Sequence, residues 1–169
     1  MTTKVDFTSE EWELLCEAPS TAGMIVITAE KGGQFRESMA MANAYVDARK
    51  EHGDSQLLDE LVAAGPKVDH ERFKSPEGRR EYGLAQLDQA AELLTSKATP
   101  QELEEYRAFV NGLSKRAAAA TKGGILRRSK KRISAAEQSA MDDIAYALDS
   151  GGRWSSFNDP EPSSEPTND

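Results

Sequence analysis

The sequence predicts an all-α protein, a compact bundle of about seven helices with a disordered acidic C-terminal tail. Three capping-box starts, glycine or proline breaks between segments, and apolar residues at helical spacing predict this fold class. A chain of 169 residues fits one ordinary domain. We therefore expect residues 1–150 to form the helical domain and residues 151–169 to form the tail.

The first helix is predicted to begin at about Ser9. Thr8 and Glu11 have the spacing of a capping box, in which each side chain bonds the backbone amide of the other residue. Phe7 and Trp12 flank the same position as a hydrophobic staple. Two independent signals thus mark one helix start.

Pro19 is predicted to end this short helix or to begin the next one. The apolar run over residues 22–29 fits either a buried strand or an apolar helix, because its periodicity does not separate the two. We favour a helix, since Pro19 suits a first helical turn and Lys31-Gly32-Gly33 suits a helix exit.

Two helices are predicted next, one between Gln34 and His52 ended by Gly53, and a shorter one from Ser55 to Ala64 stopped by Gly65-Pro66. A polar connection from Lys67 to Lys74 follows. The apolar residues expected to face inward are Phe35, Met39, Ala42, Val46, Leu57, Leu58, Leu61 and Val62.

Three more helix starts are expected at Ser75-Pro76-Glu77, at the capping box from Thr99 to Glu102, and at the capping box from Ser134 to Glu137. The first of these helices should run to about Lys97, and glycine pairs follow the other two. Their inward residues are predicted to be Leu84, Leu87, Ala91, Leu94, Leu103, Tyr106, Val110, Leu113, Ala117, Met141, Ile144, Ala145 and Leu148.

The net charge of −8 argues against a general affinity for nucleic acid or anionic membranes. Cys16 is the lone cysteine and the first residues lack a secretory signal, so we expect a cytoplasmic protein. The most apolar run, residues 22–29, is shorter than the roughly 20 residues that cross a bilayer. No transmembrane segment is therefore predicted.

No cofactor and no zinc or iron site are predicted, because His52, His70 and Cys16 lack paired ligand spacing. A site built from carboxylates alone is the open alternative, although solvated helix faces explain these acids more simply. Its candidate residues are Glu137, Asp142 and Asp143 on the last helix, with Glu10, Glu11 or Glu17.

Nucleophilic catalysis through Cys16 is not predicted, because Glu11, Glu13 and Glu17 surround the thiol locally and should raise its pKa. Burial in the core is the favoured role. The chain also lacks a phosphate-binding loop and a dinucleotide fingerprint. We therefore expect a protein that is not an enzyme.

The conspicuous feature is the basic segment, residues 122–132, which holds six cations in eleven positions, with Lys115 and Arg116 shortly before it. Such a cluster could hold phosphates, an acidic partner or an anionic membrane surface, or form a solvated loop neutralised by the acidic tail. Of these, an acidic or phosphate-bearing protein partner is the one we predict. Nucleic acid is less favoured because base-stacking aromatics are absent from the segment. Its cations are Lys122, Arg127, Arg128, Lys130, Lys131 and Arg132.

In the tail, Trp154 and Phe157 stand among prolines and acids, as in a short linear motif that anchors a disordered segment to a partner. The alternative is that they dock back on the bundle. Docking back is favoured for Trp154, which follows the last predicted helix closely.

The stretch Ile133-Ser134-Ala135-Ala136-Glu137-Gln138, which leads into the last helix, resembles small bacterial tellurite-resistance TerB-like proteins. The resemblance covers the final hairpin and implies an all-helical fold with acidic metal-binding residues. No acidic motif matches position by position, so no site residue is carried over. The function expected from the sequence is a non-enzymatic interaction or adaptor protein, with a carboxylate-based metal-binding or stress-response protein as the alternative.

Overall fold

The computed structural model describes residues 1–29, 42–43, 45–47, 55–67, 76–120 and 133–151. These residues contain helices and no strand, which confirms the predicted all-α fold. A single 3₁₀ turn precedes five α-helices, and residues 42–43 and 45–47 are helical as well. The turn is Lys4–Asp6, and the helices are α1 (Ser9–Ala29), α2 (Gln56–Ala64), α3 (Pro76–Lys97), α4 (Pro100–Ala120) and α5 (Ala135–Ser150).

The helices begin where the capping signals predict. The Thr8 amide donates to Glu11 Oε2 at 2.7 Å, and the Ser134 amide donates to Glu137 Oε2 at 2.9 Å. Gly151 follows α5 with φ 52°, the left-handed conformation that glycine adopts without a steric penalty. These local signals set the helix ends.

The prediction that Pro19 interrupts the first helix was wrong, because α1 continues through it. Proline has no amide hydrogen, so the Leu15 carbonyl four residues earlier loses its helical donor. The hydroxyl of Tyr106, on α4, donates to that carbonyl at 3.2 Å inside the core. The same continuity confirms that residues 22–29 are helical.

Helices α1 and α3 run antiparallel and approach closely at Gly83. Lys97, the last residue of α3, binds Glu11 near the start of α1. A Cβ atom on Gly83 would lie 2.6 Å from Thr21 Cγ2 and 2.8 Å from Ile25 Cδ1. The absent side chain of Gly83 therefore makes room for the contact between the two helices.

Helix α5 runs parallel to α3, as two contacts along their length show. Arg80, near the start of α3, binds Asp143 in the middle of α5. Asp88 accepts a hydrogen bond from Ser150, the last residue of α5. Each of the four long helices, α1, α3, α4 and α5, contacts the other three, so they pack around one core.

Most predicted inward residues of the last three helices are buried, and Leu103 and Ala145 are partly buried. The inward positions of Ala42 and Val46 were wrong: Ala42 is exposed, and Val46 is 47% exposed, while Tyr45 is 4% exposed. The Tyr45 ring packs edge-on against Phe109 at 5.3 Å, and its hydroxyl lies 3.3 Å from Ser20 Oγ. These two contacts place Tyr45, and not Val46, on the buried side of this helical segment.

Several predictions concern residues outside the described ranges, among them Phe35, Met39, both histidines and the tail beyond Gly151. In the part of the chain that the structure describes, every helix is too short or too polar to cross a membrane.

Candidate functional site: an acidic groove

The basic segment (Lys122, Arg127, Arg128, Lys130, Lys131, Arg132) and the tail aromatics Trp154 and Phe157 lie outside the described residues. The structure does describe the helices on either side of the basic segment. Lys115 is exposed and Arg116 is partly buried on the last turns of α4.

The carboxylates that formed the alternative metal site are bound to different groups. Asp143 pairs with Arg80 on α3, and Glu11 pairs with Lys97 at the other end of that helix. Glu137 is fully buried at the start of α5, where it completes the capping box. Among the described residues, no group of three or more His, Cys, Asp or Glu side chains is placed to hold a metal ion.

Cys16 is buried in the core, 2% exposed, as the sequence predicted. Burial is the main reason that the pKa of its thiol is raised, and Glu13 and Glu17 raise it further, while Lys67 and Lys4 oppose the shift. The direction predicted from the neighbouring acids is confirmed, but desolvation is the larger cause. A protonated, packed thiol follows.

A groove of about 410 Å³ lies between the first half of α1 and the middle of α3. Glu10, Glu13 and Glu17 of α1 are spaced by about one turn, as are Tyr82, Gln86 and Gln89 of α3, so each of these sets shares a helix face. One wall is acidic, and the other is built from a phenol and two amides. We call it the acidic groove; its residues are Glu10, Glu11, Glu13, Leu14 and Glu17 of α1 and Tyr82, Gln86 and Gln89 of α3.

Gln86 positions the polar groups at one end of the acidic groove. Its side chain is 6% exposed, and its Oε1 accepts from the Thr21 hydroxyl at 3.0 Å. Its Nε2 lies 3.3 Å from Glu17 Oε2 and 3.4 Å from the Tyr82 hydroxyl. Gln86 thus fixes a carboxylate of α1 and a phenol of α3 through one buried amide.

Lys97 lies at the other end of the acidic groove, where its Nζ is 2.7 Å from Glu11 Oε2. This hydrogen bond, with that from the Thr8 amide, lowers the pKa of Glu11. Glu10 and Glu13 also line the groove and are exposed. Of the carboxylates that line the groove, the one on Glu11 is paired directly with Lys97.

The chemistry of this surface suits a cation. Carboxylates attract ammonium and guanidinium groups, and an aromatic face adds a cation–π attraction. Tyr82 is 39% exposed, so part of its side chain is open to such a contact.

Sequence reasoning named Glu10, Glu11 and Glu17 as acids of interest but joined them to α5. The spacing of Glu10, Glu13 and Glu17 already places them on one helix face. No sequence signal pairs that face with Tyr82 and Gln86, because the pairing depends on how α1 packs on α3. The groove was missed for that reason.

Comparison of the chain with protein-family models, with curated proteins and with solved structures finds no match in any of the three. The resemblance to TerB-like proteins stays a prediction.

Proposed function

We propose that this chain is a non-enzymatic interaction protein that binds a cationic segment of a partner protein in the acidic groove. The observation that carries the proposal is the placement of Glu10, Glu13 and Glu17 beside the exposed Tyr82 residue in one concave surface. Lysine or arginine side chains of an extended or helical segment would enter between the two walls.

The expected binding is salt-dependent and of modest affinity. Exposed ion pairs contribute about 0 to 1 kcal/mol each, and salt screens them. Several carboxylates in one groove act together and favour a partner whose cations repeat along the chain. Gln86 holds Glu17 and Tyr82 in place before binding, so these two side chains lose less conformational entropy when a partner binds.

Fluorescence anisotropy with a labelled lysine–alanine peptide tests the groove. The double variant Glu10→Gln/Glu13→Gln is expected to weaken binding roughly fivefold and to lessen its salt dependence, since two exposed carboxylates are lost. The matched control is Glu81→Gln/Glu92→Gln, which removes two exposed acids from α3 outside the groove. If both double variants bound the peptide equally weakly, the net charge of the protein alone would explain the attraction, and the proposal would be contradicted.

The basic segment supports a second proposed surface, for an acidic or phosphate-bearing protein partner. Together with Lys115 and Arg116 it contains eight of the 21 basic residues within 18 positions. Lys115 is exposed on α4, so the positive surface includes a residue of this helix. Opposite charges in the two surfaces suit an adaptor that contacts two partners.

A phosphoserine-rich peptide is the probe for this second surface. Replacing Arg127, Arg128, Lys130 and Lys131 with glutamine is expected to weaken binding at least about tenfold at low salt, because most of the local positive charge is removed. A variant with the same eleven residues in permuted order is the control and should bind like the original chain. Unchanged affinity after the glutamine substitutions would exclude the segment as the binding site.

A further inference from the structure

Residues 2–7 cross the end of the bundle where α1 begins, and we call them the N-terminal strap. Four different helices hold the strap. The contacts are Thr2 with Glu102 of α4 at 2.7 and 2.8 Å, the Lys4 amide with Glu60 of α2 at 2.7 Å, the Asp6 carbonyl with Lys97 of α3 at 3.3 Å, and the Phe7 ring with Trp12 of α1 at 6.1 Å between centroids.

Polar contacts dominate in the strap. Only Thr2 and Phe7 are buried in it, and Val5 is 89% exposed. Two backbone hydrogen bonds close its 3₁₀ turn, from the Asp6 and Phe7 amides. Segments with few buried apolar contacts open at a lower free energy than the core, so the strap has the properties of a separate opening unit.

Lys97 is the contact that the strap shares with the acidic groove. Its Nζ lies 3.3 Å from the Asp6 carbonyl oxygen and 5.6 Å from the centroid of the Phe7 ring. The same Nζ lies 2.7 Å from the Glu11 carboxylate, which lines the groove. One ammonium group therefore joins the groove to the strap.

From this shared contact we infer that Lys97 couples opening of the N-terminal strap to the charge of the Glu11 side chain and to the binding of a cation there. The Glu11 carboxylate holds the ammonium group where it also contacts Asp6 and Phe7. A cation that binds Glu11 competes with Lys97, loosens these contacts and raises the open population while the helices stay folded. By linkage, an open strap in turn favours cation binding at Glu11. The effect of a bound cation on the strap rests on the proposed function of the groove. The coupling between Glu11 and the strap is measured without a ligand.

Hydrogen exchange of the full chain, followed by NMR, tests the coupling. In Glu11→Gln the glutamine still supports the capping box with Thr8 but no longer attracts Lys97 as a charge. The Asp6 and Phe7 amides are expected to exchange about twofold to fivefold faster, while the amides of Leu87 and Val110 in the core keep their rates.

The matched control is Glu10→Gln, the same change at a neighbouring groove residue for which the structure shows no contact with Lys97. Its strap amides should exchange at the original rate. Equal acceleration in the two variants would overturn the coupling, because net charge would then explain it. If the strap amides exchanged only as fast as the core amides, the strap would not open separately from the helices, and the inference would be overturned.

Spermine supplies the ligand arm, with binding followed by calorimetry. We expect spermine to accelerate exchange of the Asp6 and Phe7 amides in the original chain and to have no such effect in Glu11→Gln. Spermine that binds in the groove without changing these two amides would overturn the inference. If neither spermine nor the lysine–alanine peptide binds, the groove function fails, and the comparison of Glu11→Gln with Glu10→Gln still decides the coupling.

Discussion

Replacing Tyr106 with phenylalanine is expected to lower the free energy of unfolding by about 1 to 3 kcal/mol, because it leaves the buried Leu15 carbonyl without a donor. Pro19 is the cause of this dependence, since it supplies no amide hydrogen to Leu15. Tyr106 is fully buried, and burial raises the pKa of its phenol well above the usual value. The phenol therefore stays protonated and keeps its donor at any ordinary pH.

A double-mutant cycle with Pro19→Ala separates this hydrogen bond from the general effect of removing a hydroxyl group. Alanine restores the helical donor to Leu15, so Tyr106→Phe should cost about 1 kcal/mol less in that background. Urea unfolding of the four proteins measures the difference. Tyr146→Phe, at a side chain that is 53% exposed, is the control and should change stability by less than about 0.5 kcal/mol. Equal losses for Tyr106→Phe in both backgrounds would contradict the proposed compensation.

Replacing Glu102 with glutamine is expected to destabilise the fold by about 2 to 3 kcal/mol at neutral pH. The carboxylate, 5% exposed, accepts hydrogen bonds from the amides and hydroxyls of both Thr2 and Thr99 at 2.7 to 2.9 Å. Glutamine offers one acceptor oxygen, so its amide nitrogen must face one of these donors. The loss combines weaker charge-assisted bonds with a buried donor left unsatisfied.

This loss is expected to depend on pH. Burial raises the pKa of Glu102, but the hydrogen bonds from Thr99 and Thr2 outweigh it and lower the pKa from 4.5 to about 2. A carboxyl group whose pKa falls on folding adds stability above its unfolded pKa, and this stability disappears as the pH falls toward its folded pKa. Urea unfolding at about pH 7, pH 4 and pH 2.5 should show a shrinking difference between the original chain and Glu102→Gln.

One result and one control test whether the ionised Glu102 carboxylate causes this loss of stability. A difference that stayed constant over this pH range would contradict the role of the ionised carboxylate. Glu81→Gln, an exposed acid of α3, is the control at neutral pH and should change stability by less than about 0.5 kcal/mol.

Much of the fold could be predicted because its signals are local. A capping box lies within four residues, and Thr8 to Glu11 and Ser134 to Glu137 both form as their spacing predicts. Apolar spacing likewise predicted the buried face of α3, including Leu84 and Leu87. These features required no knowledge of a distant residue.

The candidate site was less accessible to this reasoning. The conspicuous basic segment is a feature of composition, and the structure describes only the helices beside it. The acidic groove combines one face of α1 with Tyr82 and Gln86, about 70 residues further along the chain. Its acids look like an ordinary solvated helix face until α3 is placed against them.

By itself, the sequence determined that this protein is helical and where most of its described helices begin and end, because caps, glycines and apolar spacing act within one or two turns. The tertiary structure decided that Pro19 lies inside α1, that α1 and α3 enclose the acidic groove, and that Lys97 joins the groove to the strap. Each depends on a group from a distant segment, such as the Tyr106 hydroxyl or the Lys97 ammonium, and only packing brings such groups within bonding distance.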